Sequence, residues 1–257
     1  MRRNKIRQMW HDGSVVINGW LHISSTWSAE VMAHAGWDSI TVDLQHGMHG
    51  MESAIQLLQA ISTTDTVPLA RVNWNEPGSI MRLLDAGAYG IICPMVNTRA
   101  ECESFVGACR YPPQGYRSLG PTRARVYAGP DYIQHANDEL ITMVMIETKE
   151  AMDNLEAIVS TPGLDAVFVG TGDLRFSLTG RVGFDSDDTE VDAALDLIVA
   201  ACDKHGVVPG LFTASPDYAQ QMAARGFRFI TVKTDSMILS EFAGQIVAQT
   251  RSLIEKS

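Results

Sequence analysis

The feature that most constrains this chain is a regular exchange between two hydrophobic periods. Short apolar runs rich in β-branched residues recur at "VVINGWLHI" (15–23), "DSITVDL" (38–44), "VPLARV" (67–72), "YGIICPMV" (89–96), "LITMVMIE" (140–147), "LDAVFVG" (164–170), "VVPGLFT" (207–213) and "FRFITVKT" (227–234). Between them lie stretches with helical spacing, such as "MESAIQLLQAIST" at 51–63, where Ile55, Leu58 and Ile61 share a face. Stop and start signals agree: Pro77 opens one helix and Gly87 closes it, and Thr98 is placed to cap the next. Strands that alternate with helices pair in parallel through right-handed crossovers. About eight such units in 257 residues predict a TIM-type (β/α)8 barrel, one domain over 1–257. A doubly wound open sheet is the runner-up, but no G-x-G-x-x-G follows an early strand. The rhythm breaks at "YPPQGYRSLGPTRARVYAGP" (111–130), which reads as a long loop of the kind that usually carries function.

The formal charge of -10 supplies no basic footprint, so nucleic acid and anionic membranes are not expected partners. A small anionic substrate remains compatible, because a local arginine or cation overrides the global field. The four cysteines, Cys93, Cys102, Cys109 and Cys202, form no C-x-x-C pair and read as reduced thiols. The opening "MRRNKIRQMWHDGS" lacks a secretory apolar stretch, and no run reaches the ~18 residues of a membrane helix. A soluble cytoplasmic protein is expected.

In a barrel of this kind, residues just beyond the C-terminal strand ends share one pocket. That rule selects Asp43, Gln45 and His46, then Arg71, then Glu147, then "GTGD" with Asp173, and finally Lys233 with Asp235. Glu147 and Asp173 could chelate a hard divalent cation, or could simply be acidic groups favoured at helix starts. Arg71 could hold a substrate carboxylate or a developing enolate, or could pair with a buried acid such as Glu147. His46 is a candidate general base beside Asp43; as a zinc ligand with His49 it lacks the i, i+4 spacing of a helical metal motif. His49 is read as an exposed loop residue. His11, His22, His34, His135 and His205 show no clustering and are assigned structural roles.

Several separated motifs carry a resemblance. They are "DLQH" (43–46), "RVNWNEP" (71–77), "LLDAG" (83–87), "PMVNTRAE" (94–101), "RYPPQGYRSLGP" (110–121), "MIETKEAMDNL" (145–155) and "VFVGTGDL" (167–174). In this order they resemble the HpcH/HpaI aldolase family, the metal-dependent pyruvate aldolases that cleave 4-hydroxy-2-oxo acids. The resemblance implies a TIM barrel whose last helix swaps between subunits, commonly in a hexamer built as a trimer of dimers. It implies a divalent cation (Mg²⁺, Mn²⁺ or Co²⁺) on Glu147 and Asp173, and enolate stabilisation by Arg71. It further implies His46 as the acid–base residue, Asp85 as the acid that raises its basicity, and backbone amides of Gly172 and Asp173 around the substrate carboxylate. Asp43 and Trp20 are secondary candidates.

Two positions depart from the family pattern. Met145 stands where many members carry a substrate-contacting glutamine, and a thioether cannot donate that hydrogen bond. "GTGDL" replaces a proline-containing turn but keeps a small residue before Asp173. Lys233 is the sole strand-end lysine for a Schiff base. Two rival readings are an acyl-CoA lyase of the citrate lyase type, against which no basic patch for coenzyme A is seen, and a non-catalytic 2-oxo-acid-binding paralogue.

Overall fold

The computed structural model describes residues 1–185 and 187–256. Eight strands close into an all-parallel barrel in sequence order: β1 (Val16–Leu21), β2 (Ser39–Asp43), β3 (Val67–Arg71), β4 (Gly90–Cys93), β5 (Ile141–Ile146), β6 (Ala166–Val169), β7 (Val208–Thr213) and β8 (Phe229–Val232), with β8 back against β1. Every expected strand is present, and the (β/α)8 reading holds. No helix among the described residues is long and apolar enough to cross a membrane.

Thirteen helices surround or flank the barrel among the described residues. They are α1 (Lys5–His11), α2 (Thr26–Ala33), α3 (Met51–Ile61), α4 (Pro77–Asp85), α5 (Arg99–Cys109), α6 (Thr122–Ala128), α7 (Tyr132–Glu139), α8 (Lys149–Asp153), α9 (Leu155–Val159), α10 (Thr171–Thr179), α11 (Thr189–His205), α12 (Pro216–Arg225) and α13 (Asp235–Ile254). Thr98 caps α5 as expected, in a reciprocal box with Glu101. Helices α8 and α9 are two short segments that meet at Asn154. The stretch read as loop over 111–130 contains α6. It packs against α4, where Arg123 donates to the Ala86 carbonyl at 2.6 Å. Proline and glycine density described its connections correctly and concealed the helical turn inside it.

Strand alternation explains what fills the barrel. Asn18 and Trp20 of β1, Ser39, Thr41 and Asp43 of β2, and Phe168 of β6 face inward. The Trp20 and Phe168 rings stack at 5.3 Å across the interior. Below them Asn18 forms a polar layer: its amide nitrogen donates to Thr231 at 2.9 Å, and its oxygen accepts from Ser39 at 2.8 Å and Thr41 at 3.2 Å. The outside of β1 is bare by comparison, since Ile17 is 49% exposed. Only the first turn of α13 docks on the barrel; every residue from 238 to 256 is exposed.

Asn18→Leu strands three buried hydroxyls at once. Each unsatisfied group costs about 1–3 kcal/mol, so the variant should lose several kcal/mol, read as a lowered urea midpoint. An unchanged midpoint would sink this account of the inner polar layer.

Candidate active site

The C-terminal strand ends assemble a cleft of about 150 Å³. Its polar lining comes from His22, His46, Arg71 and Asp173, and its apolar wall from Trp20, Met145, Phe168, Phe184, Phe212 and Met237.

Asp43 lies at the base of this arrangement. In the parallel register Asp43 sits opposite Arg71, so the two side chains leave neighbouring strands at the same level. The result is a bidentate pair, with Arg71 Nε on Oδ1 at 2.8 Å and Nη2 on Oδ2 at 2.6 Å. Oδ2 also receives Trp20 Nε1 at 3.1 Å and bonds His22 Nε2 at 2.9 Å. Oδ1 accepts the Gln45 backbone N–H at 3.0 Å and, more weakly, that of His46 at 3.4 Å. Burial alone would push the Asp43 carboxyl up. Hydrogen bonds from His22, Arg71 and Trp20, with the guanidinium charge, outweigh burial and hold it well below the usual carboxylate range. Arg71 therefore does pair with a buried acid, but the acid is Asp43 and not Glu147.

The opposite edge of the guanidinium is left for the cleft. Arg71 Nη1 meets the Met145 sulfur at 3.6 Å, a weak acceptor, and the guanidinium carbon lies 4.9 Å from the Trp20 ring centre.

Glu147 leaves the end of β5, two residues beyond Met145 on the same inward face. It is buried, and its Oε1 accepts the Met95 N–H at 2.7 Å. Among the described residues no donor reaches Oε2. Gly170 makes room for it, since a Cβ there would lie 2.8 Å from Oε2. Burial raises the Glu147 carboxyl, and the like charge of Asp173 adds to that, against the Met95 N–H and Arg71. Asp173 occupies the first turn of α10, where a carboxylate faces unpaired backbone N–H groups that include those of Gly172 and Asp173 itself. Two converging carboxylates with one oxygen unpartnered fit an oxygen-ligated divalent cation held by two protein ligands, leaving positions for water and substrate. No group of three or more His, Cys, Asp or Glu side chains converges among the described residues.

Other placements differ from expectation. His46 is exposed at the rim, and its ring meets no carboxylate among the described residues. Asp85 ends α4, just before β4 begins, and so lies at the opposite end of the barrel from His46 within one chain. There it accepts from the buried Arg117 at 2.6 Å. Burial raises its carboxyl despite Arg117. His49 is not an exposed loop residue: both ring nitrogens are buried without partners, and burial lowers its pKa. Lys233 pairs with Glu241 of α13 and is not among the residues lining the cleft. Sequence reading missed His22. The strand-end rule that selected Asp43 and Arg71, applied to the first strand as well, points to it.

With this geometry in view, similarity to known proteins is informative. The model of the HpcH/HpaI aldolase/citrate lyase family matches residues 17–241. The chain belongs to that family. It is 38% identical over 250 residues to the hydroxypyruvate/pyruvate aldolase of Rhizorhabdus wittichii, covering 97% of this chain and 100% of that protein. It is 35% identical to the 4-hydroxy-2-oxo-heptane-1,7-dioate aldolase of Escherichia coli, covering 96% of this chain and 94% of that one. A crystal structure of a family member from Burkholderia cenocepacia superposes with a TM-score of 0.90 at 32% identity, covering 96% and 99% of the two chains. Full-length similarity to named aldolases makes this HpcH/HpaI member an aldolase-type lyase.

Removing the Asp43 charge leaves Arg71 buried and unpaired. Asp43→Asn should therefore destabilise the fold by about 3–5 kcal/mol at neutral pH. Because the folded-state pKa of Asp43 is depressed, its contribution is complete above the unfolded value of about 3.9 and fades as the pH falls below it. Urea midpoints of wild type and variant should differ at pH 7 and draw together near pH 3. An equal gap at both values would refute the assignment.

Proposed function

We propose that this protein reversibly cleaves a 4-hydroxy-2-oxo acid to an aldehyde and a 2-oxo acid of the pyruvate or hydroxypyruvate type. The observation that carries this reading is the convergence of Glu147 and Asp173 opposite the free edge of Arg71, in a cleft with an imidazole at its rim. A divalent cation (Mg²⁺, Mn²⁺ or Co²⁺) held by Glu147 and Asp173 supplies Lewis acidity toward the 1-carboxylate and 2-oxo group. The backbone amides of Gly172 and Asp173, at the start of α10, favour the same carboxylate. Arg71, fixed on Asp43, directs Nη1 at the oxo oxygen as negative charge develops there during carbon–carbon cleavage. His46 takes the proton of the 4-hydroxyl, and in the synthetic direction returns it to the aldehyde oxygen.

Asp85 can support His46 only from a second copy of the chain. Beside it Leu119, 67% exposed, follows Arg117 on the same loop, an apolar rim suited to burial against a neighbour. The unpacked α13 and the bare face of β1 favour exchange of the last helix between subunits, within a homohexamer arranged as a trimer of dimers. A cytoplasmic catabolic role, in the degradation of aromatic compounds or sugar acids, agrees with reduced buried thiols and a small-molecule substrate.

Two experiments test this reading. EDTA should abolish aldol addition of pyruvate to a simple aldehyde, and Mg²⁺, Mn²⁺ or Co²⁺ should restore it; inactivation by borohydride with pyruvate present would instead indicate a Schiff base. Mixed oligomers of His46→Ala and Asp85→Asn chains should recover turnover that neither variant has alone. Verified mixed oligomers without recovery would exclude a shared site.

A further inference from the structure

The imidazole of His22 is a cleft group that the reaction above leaves unused. The two threonines on the wall are committed elsewhere: Thr171 donates to the Phe212 carbonyl at 3.0 Å, and Thr234 caps α13 through the Met237 N–H at 3.2 Å. His22 is held from both ends. Its backbone N–H donates to Asp235 Oδ1 at 2.8 Å, with Ile23 on Oδ2 at 3.2 Å, and its ring Nε2 bonds Asp43 Oδ2 at 2.9 Å. With its backbone held by Asp235 and its ring by Asp43, two buried carboxylates from different strand ends, the imidazole is pre-organised, as binding groups require.

The tautomer follows from the partner. Ionised Asp43 only accepts, so Nε2 carries the hydrogen, and in the neutral imidazole Nδ1 is then the acceptor. Among the described residues nothing donates to Nδ1. The ring also has a defined neighbour. His22 Nε2 and Arg71 Nη2 bond the same Asp43 oxygen at 2.9 and 2.6 Å, so the imidazole adjoins the guanidinium that faces the oxo group. The surrounding wall of Trp20, Met145, Phe168 and Phe212 offers a hydroxyl no strong acceptor side chain.

We propose that His22 determines donor specificity: Nδ1 accepts a hydrogen bond from a hydroxyl on C3 of the 2-oxo acid, favouring 3-hydroxy-2-oxo acids over unsubstituted ones. The inference rests on the aldolase reading. His22→Gln is the decisive variant, because the glutamine NH2 can replace Nε2–H on Asp43 while its only acceptor, Oε1, is displaced from the Nδ1 position. His22→Phe removes both contacts. Addition of hydroxypyruvate and of pyruvate to the same aldehyde is measured on one preparation, so the ratio of the two kcat/KM values is independent of the fraction folded.

In His22→Gln, kcat/KM with hydroxypyruvate should fall about tenfold while pyruvate changes by less than about twofold, as expected for one net hydrogen bond. His22→Phe should show the same change in ratio. Equal losses with both donors would mean that His22 acts only by placing Arg71, and would overturn the proposal, as would an unchanged ratio. Wild-type protein inactive on both donors would overturn the aldolase reading and this inference with it.

Discussion

The in-register pair of Asp43 and Arg71 is the interaction on which the site depends. Two ionised groups inside a barrel are costly to desolvate, and only good geometry with further hydrogen bonds offsets that cost. Parallel register supplies the geometry, since residues opposite one another on adjacent strands leave the sheet at one height. Trp20, His22 and two backbone amides supply the additional bonds. The guanidinium is consequently fixed in a plane, with one edge spent on Asp43 and one aimed into the cleft. A lysine at 71 could not reproduce this, because a point charge has no second edge to offer.

Strand positions were readable because parallel barrel strands, covered on both sides, are nearly continuous apolar runs. The carboxylates Glu147 and Asp173 and the guanidinium of Arg71 were equally visible, because each follows or breaks such a run at its C-terminal end. What stayed hidden depended on contacts across the fold. Asp43 and His46 are three residues apart, which suggested a dyad, yet the carboxylate points inward along β2 and the histidine sits on the rim. Proximity in sequence gave the wrong partner, since Asp43 instead engages the end of β1, twenty-one residues earlier.

Asp85 illustrates a different limit. Its place in "LLDAG" marks it at the end of a helix, and a helix that returns a barrel strand ends at the face opposite the cleft. Within one chain it cannot meet His46, and its observed partner is Arg117, a contact that neither periodicity nor spacing encodes. The apolar residues along α13, such as Phe242 and Leu253, are likewise exposed in the single chain, and exposed apolar surface of this kind commonly marks an interaction site.

Three carboxylates lie at or just behind the cleft, Asp43, Glu147 and Asp173, and they are not equivalent. Asp43 receives six hydrogen bonds on its two oxygens, more than the roughly four lone-pair directions a carboxylate offers. It has no electron pairs left to donate. Glu147 retains an oxygen without a donor. The acid that stays with Arg71 thus has its acceptor capacity filled by donors, while Glu147 keeps one oxygen open.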